Sequence, residues 1–253
     1  LLAIATWIKV WPAAIMAAAV VTLRSRWAVV GAGVVVSALT LIAIALAGGA
    51  PHAFGFIGDQ TARGLQVEAP VAAPYLWGAL LGLEGFSVYY SFDLLTFQVT
   101  GTEIDPVIAA MTPLMVIVIL SIVVLGAVKA MRRATFVTLF PPLSLALVTA
   151  FIVFNKVGSP QYLCWLVPSL VIGLVVDRAV WVGPATLGIA TALLTQLVYP
   201  VLYQDILVPA PLGVSILTVR NAALVGMLLW MIVRLARVRP PLCTFIGSRS
   251  LTA

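Results

Sequence analysis

The sequence predicts an all-α integral membrane protein with about seven transmembrane helices and one further re-entrant or interfacial helix. Hydrophobic residues make up 63% of the 253-residue chain and charged residues only 9%, whereas soluble domains average about 25% charged residues. Several apolar runs approach or exceed the ~20 residues that a helix needs to cross a bilayer. Because these runs are continuous, with no short alternating segments, helices are favoured over a closed barrel.

Seven apolar runs are the candidate spans. They cover about 3–23, 27–47, 106–128, 135–154, 162–176, 179–199 and 213–233. The first run is interrupted by Lys9 and Pro12. Residues 71–85 are apolar but short and rich in glycine, which favours a helix that does not cross. Residues 86–104 are polar and β-branched, which predicts a small hairpin or an irregular loop.

The whole chain, 1–253, is interpreted as a single transmembrane domain with an extracytoplasmic insert at 48–105. Leu1 already lies inside an apolar run, without a signal-peptide pattern before it. We therefore expect a fragment that lacks its N-terminal part.

The charges orient the spans across a cell membrane. Under the positive-inside rule, an outer N-terminus and an inner C-terminus place ten of the 14 cations in the cytoplasm, including Arg249, and seven of the eight acids outside, including Asp59. This holds only if 71–85 does not cross. The four remaining cations are Lys9, Arg63, Lys156 and Arg220, and they fall on the outer side or in the outer half of a span.

These four outer cations are the candidate site. Charges at membrane depth are costly and usually face a cavity or a partner, and a phosphate accepts hydrogen bonds from lysine or from the fork of arginine. Ordinary alternatives stay open. Lys156 could snorkel to water, and Lys9 or Arg220 could form a structural ion pair with Glu68, Glu84 or Asp205.

Two local patterns extend this candidate site. Ser159 and Pro160 suit the cap and first position of a helix whose N-terminus would favour a phosphate beside Lys156. If residues 61–70 are helical, Arg63, Gln66 and Val67 share one face. Ordinary capping and a solvated turn would explain the same residues.

Other site classes find little support in the sequence. Cys164 and Cys243 form no disulfide or metal-ligand pattern, and His52 stands alone in a loop. No phosphate-loop glycine motif, metal cluster or nucleophile triad occurs. We therefore expect no metal, no cofactor and no nucleic acid partner.

Four segments resemble glycosyltransferase family 87, the actinobacterial polyprenol-phosphate-mannose-dependent mannosyltransferases. They are KVWPA (9–13), RGLQVEA (63–69), NKVGSPQYLCWLVP (155–168) and VRNAAL (219–224). The third is the most specific. The resemblance spans almost the whole chain in the family's order.

The resemblance implies a GT-C-like fold and sugar transfer on the extracytoplasmic face, as part of cell-envelope synthesis. The implied donor is a sugar on a polyprenyl phosphate, and the implied acceptor is a glycolipid or glycan. Its implied substrate-binding residues are Lys9, Arg63, Gln66, Lys156, Ser159, Gln161 and Arg220. The family's catalytic aspartate lies in a first outer loop that would precede Leu1, so the catalytic residue is unknown here.

Two other functions are weighed against a transferase. A transporter or flippase for an anionic or lipid-linked solute would also place cations in a membrane cavity. Transporters often contain paired broken helices in related halves, and this sequence shows no such internal symmetry. A membrane scaffold without activity would give no reason for outer cations at several depths.

Overall fold

The computed structural model describes residues 1–55 and 63–239. Asp59, Cys243 and Arg249 lie outside the described residues. The helices are α1 (Leu2–Ile8), α2 (Pro12–Thr22), α3 (Arg26–Leu46), α4 (Ala73–Leu80), α5 (Ile104–Met131), α6 (Phe136–Val153), α7 (Val167–Val176), α8 (Arg178–Gln196), α9 (Gln204–Leu207) and α10 (Pro211–Arg237). A 3₁₀ helix, Pro160–Leu166, leads into α7, and β1 (Ser87–Ser91) pairs with β2 (Thr96–Thr100).

Five helices among the described residues are long and apolar enough to cross a membrane. They are Arg26–Leu46, Ile104–Met131, Phe136–Val153, Arg178–Val201 and Pro211–Arg237. The fold is therefore mostly helical, as expected of a multi-pass membrane protein. The remaining two of the seven predicted spans fall on shorter helices, Pro12–Thr22 and Pro160–Val176.

Proline explains why these two apolar runs are interrupted. The first run is broken at Lys9, which is extended with φ −149° and ψ 138°, and α2 starts afresh at Pro12. The second run begins at Pro160 as a 3₁₀ helix and becomes α-helical at Val167, next to Pro168. Pro12 and Pro160 each stand at the first position of the helix that follows the break, where the missing N–H of proline is not needed.

Helix α6 forms the centre of the bundle. It packs against α10, α2 and α5, and nearly all of its residues from Leu139 to Val153 are buried. A helix that is apolar on all sides is expected to be surrounded by other helices. Helix α3, by contrast, has no buried residue and lies at the edge of the bundle.

One end of the bundle, here called the basic end, collects cations that were predicted to be cytoplasmic. The Lys129 ammonium of α5 donates to the carbonyls of Ala236 and Val238 at the end of α10. Arg234 donates to the Val180 carbonyl at 3.2 Å and lies 4.7 Å from the centre of the Trp181 ring, at the start of α8.

The opposite end, here called the site end, carries the hairpin and α4. Strands β1 and β2 are antiparallel, with Tyr89 opposite Gln98, so the predicted hairpin is confirmed. At eight residues, α4 is about 12 Å long at 1.5 Å per residue and too short to cross. Its Trp77 indole donates to Thr218 of α10 at 2.9 Å, which holds α4 against the first turns of that helix.

Candidate functional site

The seven predicted site residues all lie in one connected region at the site end. They come from four parts of the chain: the α1–α2 break, residues 63–69, residues 156–161 and α10. Each part is joined to at least one other by a hydrogen bond or an ion pair.

Lys9 and Gln161 are joined directly. The Lys9 ammonium donates to Gln161 Oε1 at 2.9 Å, across 152 positions of sequence. Both side chains are exposed. The extended backbone of Lys9 between α1 and α2 turns this residue out of the helical path. Lys9 therefore stands beside the 3₁₀ helix with its remaining two N–H bonds available to an anion.

Residues 155–159 lie against residues 66–69. The Gln66 N–H donates to the Lys156 carbonyl at 3.0 Å, and Gly158 packs against the backbone of Glu68 and Ala69. A hydrogen bond from the Val157 N–H to Asn155 Oδ1, at 2.9 Å, shapes the turn. Lys156 is buried at 7% exposure, and this burial lowers the pKa of its ammonium.

Arg220 forms a buried ion pair with Glu68. Its Nη2 lies 3.0 Å from Glu68 Oε2, and the two residues are 1% and 3% exposed. Burial raises the pKa of Glu68, while the charge of Arg220 acts to lower it. The structural ion pair that the sequence left open is thus formed, with Glu68 as the partner. In this arrangement the guanidinium holds the segment around Glu68 in place through the ion pair. It is buried and therefore closed to direct contact by a ligand.

The helix that was one possibility for residues 61–70 is not formed over the described residues 63–69. The Val67 N–H donates to the Phe97 carbonyl and the Val99 N–H to Leu65, so this segment extends along β2. Arg63 and Gln66 consequently share no helical face.

Ser159 occupies the predicted cap position before Pro160, but its side chain makes no capping hydrogen bond. The seven residues that follow form 3₁₀ turns, so the expected phosphate site at an α-helical N-terminus is not formed there.

An aromatic stack, missed in the sequence, forms the wall beside Lys9 and Gln161. The Trp11 and Trp165 rings are 5.5 Å apart and nearly parallel, and the Tyr162 ring stacks on Trp165 at 3.9 Å. Arg63 and Glu68 both lie near the Tyr162 side chain. The signal was present in the sequence, because Tyr162 directly follows Gln161 and Trp11 lies two residues after Lys9.

No protein-family model, curated protein or solved structure matches this chain. The resemblance to family 87 therefore stays a prediction.

Several buried polar atoms at the site end have no hydrogen-bond partner among the described residues. They are Arg63 Nε, Gln66 Oε1, Gln98 Oε1, Arg220 Nε and both amide atoms of Asn221. Buried polar groups are usually paired because an unmade hydrogen bond is costly. Arg63 and Gln66 are only partly buried, so their atoms are the ones that a polar ligand could pair, whereas Arg220 Nε belongs to the closed ion pair.

Tyr203 adds a hydrogen-bond donor near Glu68. Burial, together with the charge of Glu68, raises the pKa of Tyr203 to about 12. Its hydroxyl therefore keeps its proton at neutral pH. Among residues 1–55 and 63–239, no group of three or more His, Cys, Asp or Glu side chains could hold a metal ion.

Proposed function

We propose that this chain is a membrane glycosyltransferase, of the mannosyl type, that uses a sugar linked to a polyprenyl phosphate. One observation supports this proposal most strongly. Lys9, Arg63 and Lys156, with the amides of Gln66 and Gln161, come together at the end of the bundle opposite Lys129 and Arg234. A lipid phosphate at the membrane surface fits a site of this charge and position.

The topology belongs to the same proposal. The α1–α2 pair and the helix Pro160–Val176 each complete a span despite their breaks, which makes seven spans with the N-terminus outside and the C-terminus inside. The site end, the hairpin and the segment 48–105 then face the extracytoplasmic side of the cell membrane. The basic end faces the cytoplasm, as the positive-inside rule requires.

Three of the four cations, Lys9, Arg63 and Arg220, have distinct parts in the proposed chemistry. Lys9 and Arg63 contact the donor phosphate and stabilise the charge that builds on it as the sugar departs. Gln161 orients the Lys9 ammonium, and the Glu68–Arg220 pair holds the segment that carries Arg63 and Gln66. We assign no catalytic base among the described residues, because Glu68 is buried and already paired.

An apolar groove supports a lipid-linked donor. It measures 510 Å³ and lies between α1, α2 and α3, with Trp7, Met16 and Val34 in its lining. Trp7 is two residues before Lys9. A phosphate held by Lys9 would leave a polyprenyl chain free to enter this groove from the bilayer, where van der Waals packing against the apolar lining would hold it.

The proposal predicts that Lys9→Gln and Arg63→Gln weaken binding of polyprenyl phosphate by about tenfold or more, because a charge-assisted hydrogen bond contributes about 1.5–3 kcal/mol. Binding of radiolabelled decaprenyl phosphate to the protein in phosphatidylcholine nanodiscs measures this. Arg24→Gln, which removes an exposed cation from the turn between α2 and α3, is the matched control and should change binding less than twofold.

Two further arms separate the candidate functions. Uncharged decaprenol should compete poorly, and inorganic phosphate should compete only at high concentration. Equal affinity of all three variants, or equal binding of the alcohol, would contradict the phosphate site. Uptake of labelled lipid phosphate across proteoliposomes, without sugar transfer to an added glycan, would favour the transporter instead.

A further inference from the structure

The tip of the hairpin is unusually apolar for a turn. Residues 92–95 read Phe-Asp-Leu-Leu, and Phe92 and Leu95 are 82% and 72% exposed. Leu95 adopts φ 52°, a left-handed conformation that is uncommon for residues other than glycine, asparagine and aspartate. Hairpin turns normally use those three residues. The chain thus keeps a leucine where asparagine or glycine would be less strained and more soluble.

A continuous row of aromatic rings connects the tip to Tyr199, near the end of the candidate span Arg178–Val201. Neighbouring rings are 5.0 to 6.2 Å apart. In order, the row consists of Tyr199, Tyr203, Phe97, Tyr90 and Phe92. Tyr199 is itself exposed, as are Leu197 and Val201 beside it in the candidate span Arg178–Val201. The apolar surface of the tip is therefore an extension of a surface that faces lipid.

The composition of the hairpin identifies the environment that it fits. Between residues 87 and 102 the only charged residue is Asp93, and no lysine or arginine occurs. Electrostatic attraction to anionic lipid headgroups therefore does not hold the hairpin at the membrane. Tyrosine and phenylalanine beside exposed leucine match the boundary between lipid headgroups and acyl chains, where rings with one apolar and one polar side are enriched.

We infer that the hairpin tip inserts into the outer headgroup region of the bilayer through Phe92 and Leu95. The second strand, β2, is hydrogen-bonded to residues 65–67, so insertion of the tip fixes the height of Arg63 and Gln66 above the membrane. A lipid headgroup lies at that height. This inference does not depend on the proposed transferase activity, but it uses the proposed orientation, with the site end outside, and the position of the hairpin beside the span Arg178–Val201.

Fluorescence quenching tests the insertion directly. In a Cys164→Ser/Cys243→Ser background, the environment-sensitive dye NBD is attached to Phe92→Cys, and to Ser87→Cys as the control at the exposed base of β1. In phosphatidylcholine nanodiscs, we expect shallow spin-labelled phosphatidylcholine to quench NBD at 92 at least twice as strongly as at 87. Aqueous iodide should show the reverse order.

A further variant separates insertion from a role in folding. Leu95→Asn relieves the left-handed strain, so it should leave the thermal unfolding temperature in detergent equal or higher while reducing lipid quenching at position 92. Iodide quenching at 92 as strong as at 87, with no lipid quenching, would place the tip in water and overturn the inference. Should Phe92→Cys fail to fold, the same dye at Leu95→Cys gives the same comparison.

Discussion

Removing one member of the Glu68–Arg220 pair is expected to cost about 3–5 kcal/mol of stability, because the partner is left as an unpaired buried charge. Glu68→Gln and Arg220→Met each break the 3.0 Å contact between residues that are at most 3% exposed. The double variant buries no charge, so it should lose clearly less than the sum of the two single losses. Thermal unfolding of the purified protein in detergent measures all three variants.

The controls for the ion pair are exposed charges of the same types. Glu84→Gln and Arg132→Met remove side chains that lie on the surface, and each should stay within about 0.5 kcal/mol of the parent. Strictly additive losses in the double variant would contradict the account, since coupling between the two residues is what distinguishes a buried pair from two independent contacts.

The second large effect is expected at Gly158. A methyl group at this position would lie under 3.0 Å from the carbonyl carbon and oxygen of Glu68 and from the amide nitrogen of Ala69. These are backbone atoms, which cannot swing aside as a flexible side chain could. Gly158→Ala should therefore separate residues 155–159 from 66–69, at a cost of about 1–3 kcal/mol.

Because Gly158 joins the two segments that carry Lys156 and Gln66, its substitution should also weaken decaprenyl phosphate binding, by about as much as Lys9→Gln. Gly226→Ala is the matched control. Nothing lies within 4 Å of its added methyl, and alanine is favoured over glycine inside a helix by about 1 kcal/mol. A Gly158→Ala protein with the parent's unfolding temperature and affinity would contradict the close apposition of the two segments.

Much of the fold could be predicted because hydrophobic runs and proline act locally. The break in the first run was signalled by Lys9 and Pro12, and the hairpin by its β-branched residues. A helix could not be predicted or excluded from local sequence at residues 63–69, because pairing with β2 determines their conformation. Residues 63–69 have a helix-compatible sequence, yet they extend because β2 offers backbone partners to Leu65 and Val67.

The pairings within the candidate site could not be chosen from sequence. Glu68, Glu84 and Asp205 were equally available to Arg220, and only the path of residues 66–69 against Gly158 brings Glu68 to it. The Lys9–Gln161 contact joins residues 152 positions apart, so no local sequence pattern predicts it. The cap at Ser159 was misjudged because Ser-Pro fits the start of a 3₁₀ helix as readily as that of an α-helix.

The account depends most on the site end facing the outside of the cell, opposite the basic end. Gln161→Cys, in a background with Cys164→Ser and Cys243→Ser, places one thiol on the exposed face of the 3₁₀ helix. Met131→Cys, 76% exposed in the parent, places one at the basic end. An impermeant maleimide added to intact cells should label position 161 and leave position 131 unlabelled until the membrane is permeabilised. Labelling of 131 from outside, with 161 protected, would contradict the proposed orientation and the lipid-phosphate site that depends on it.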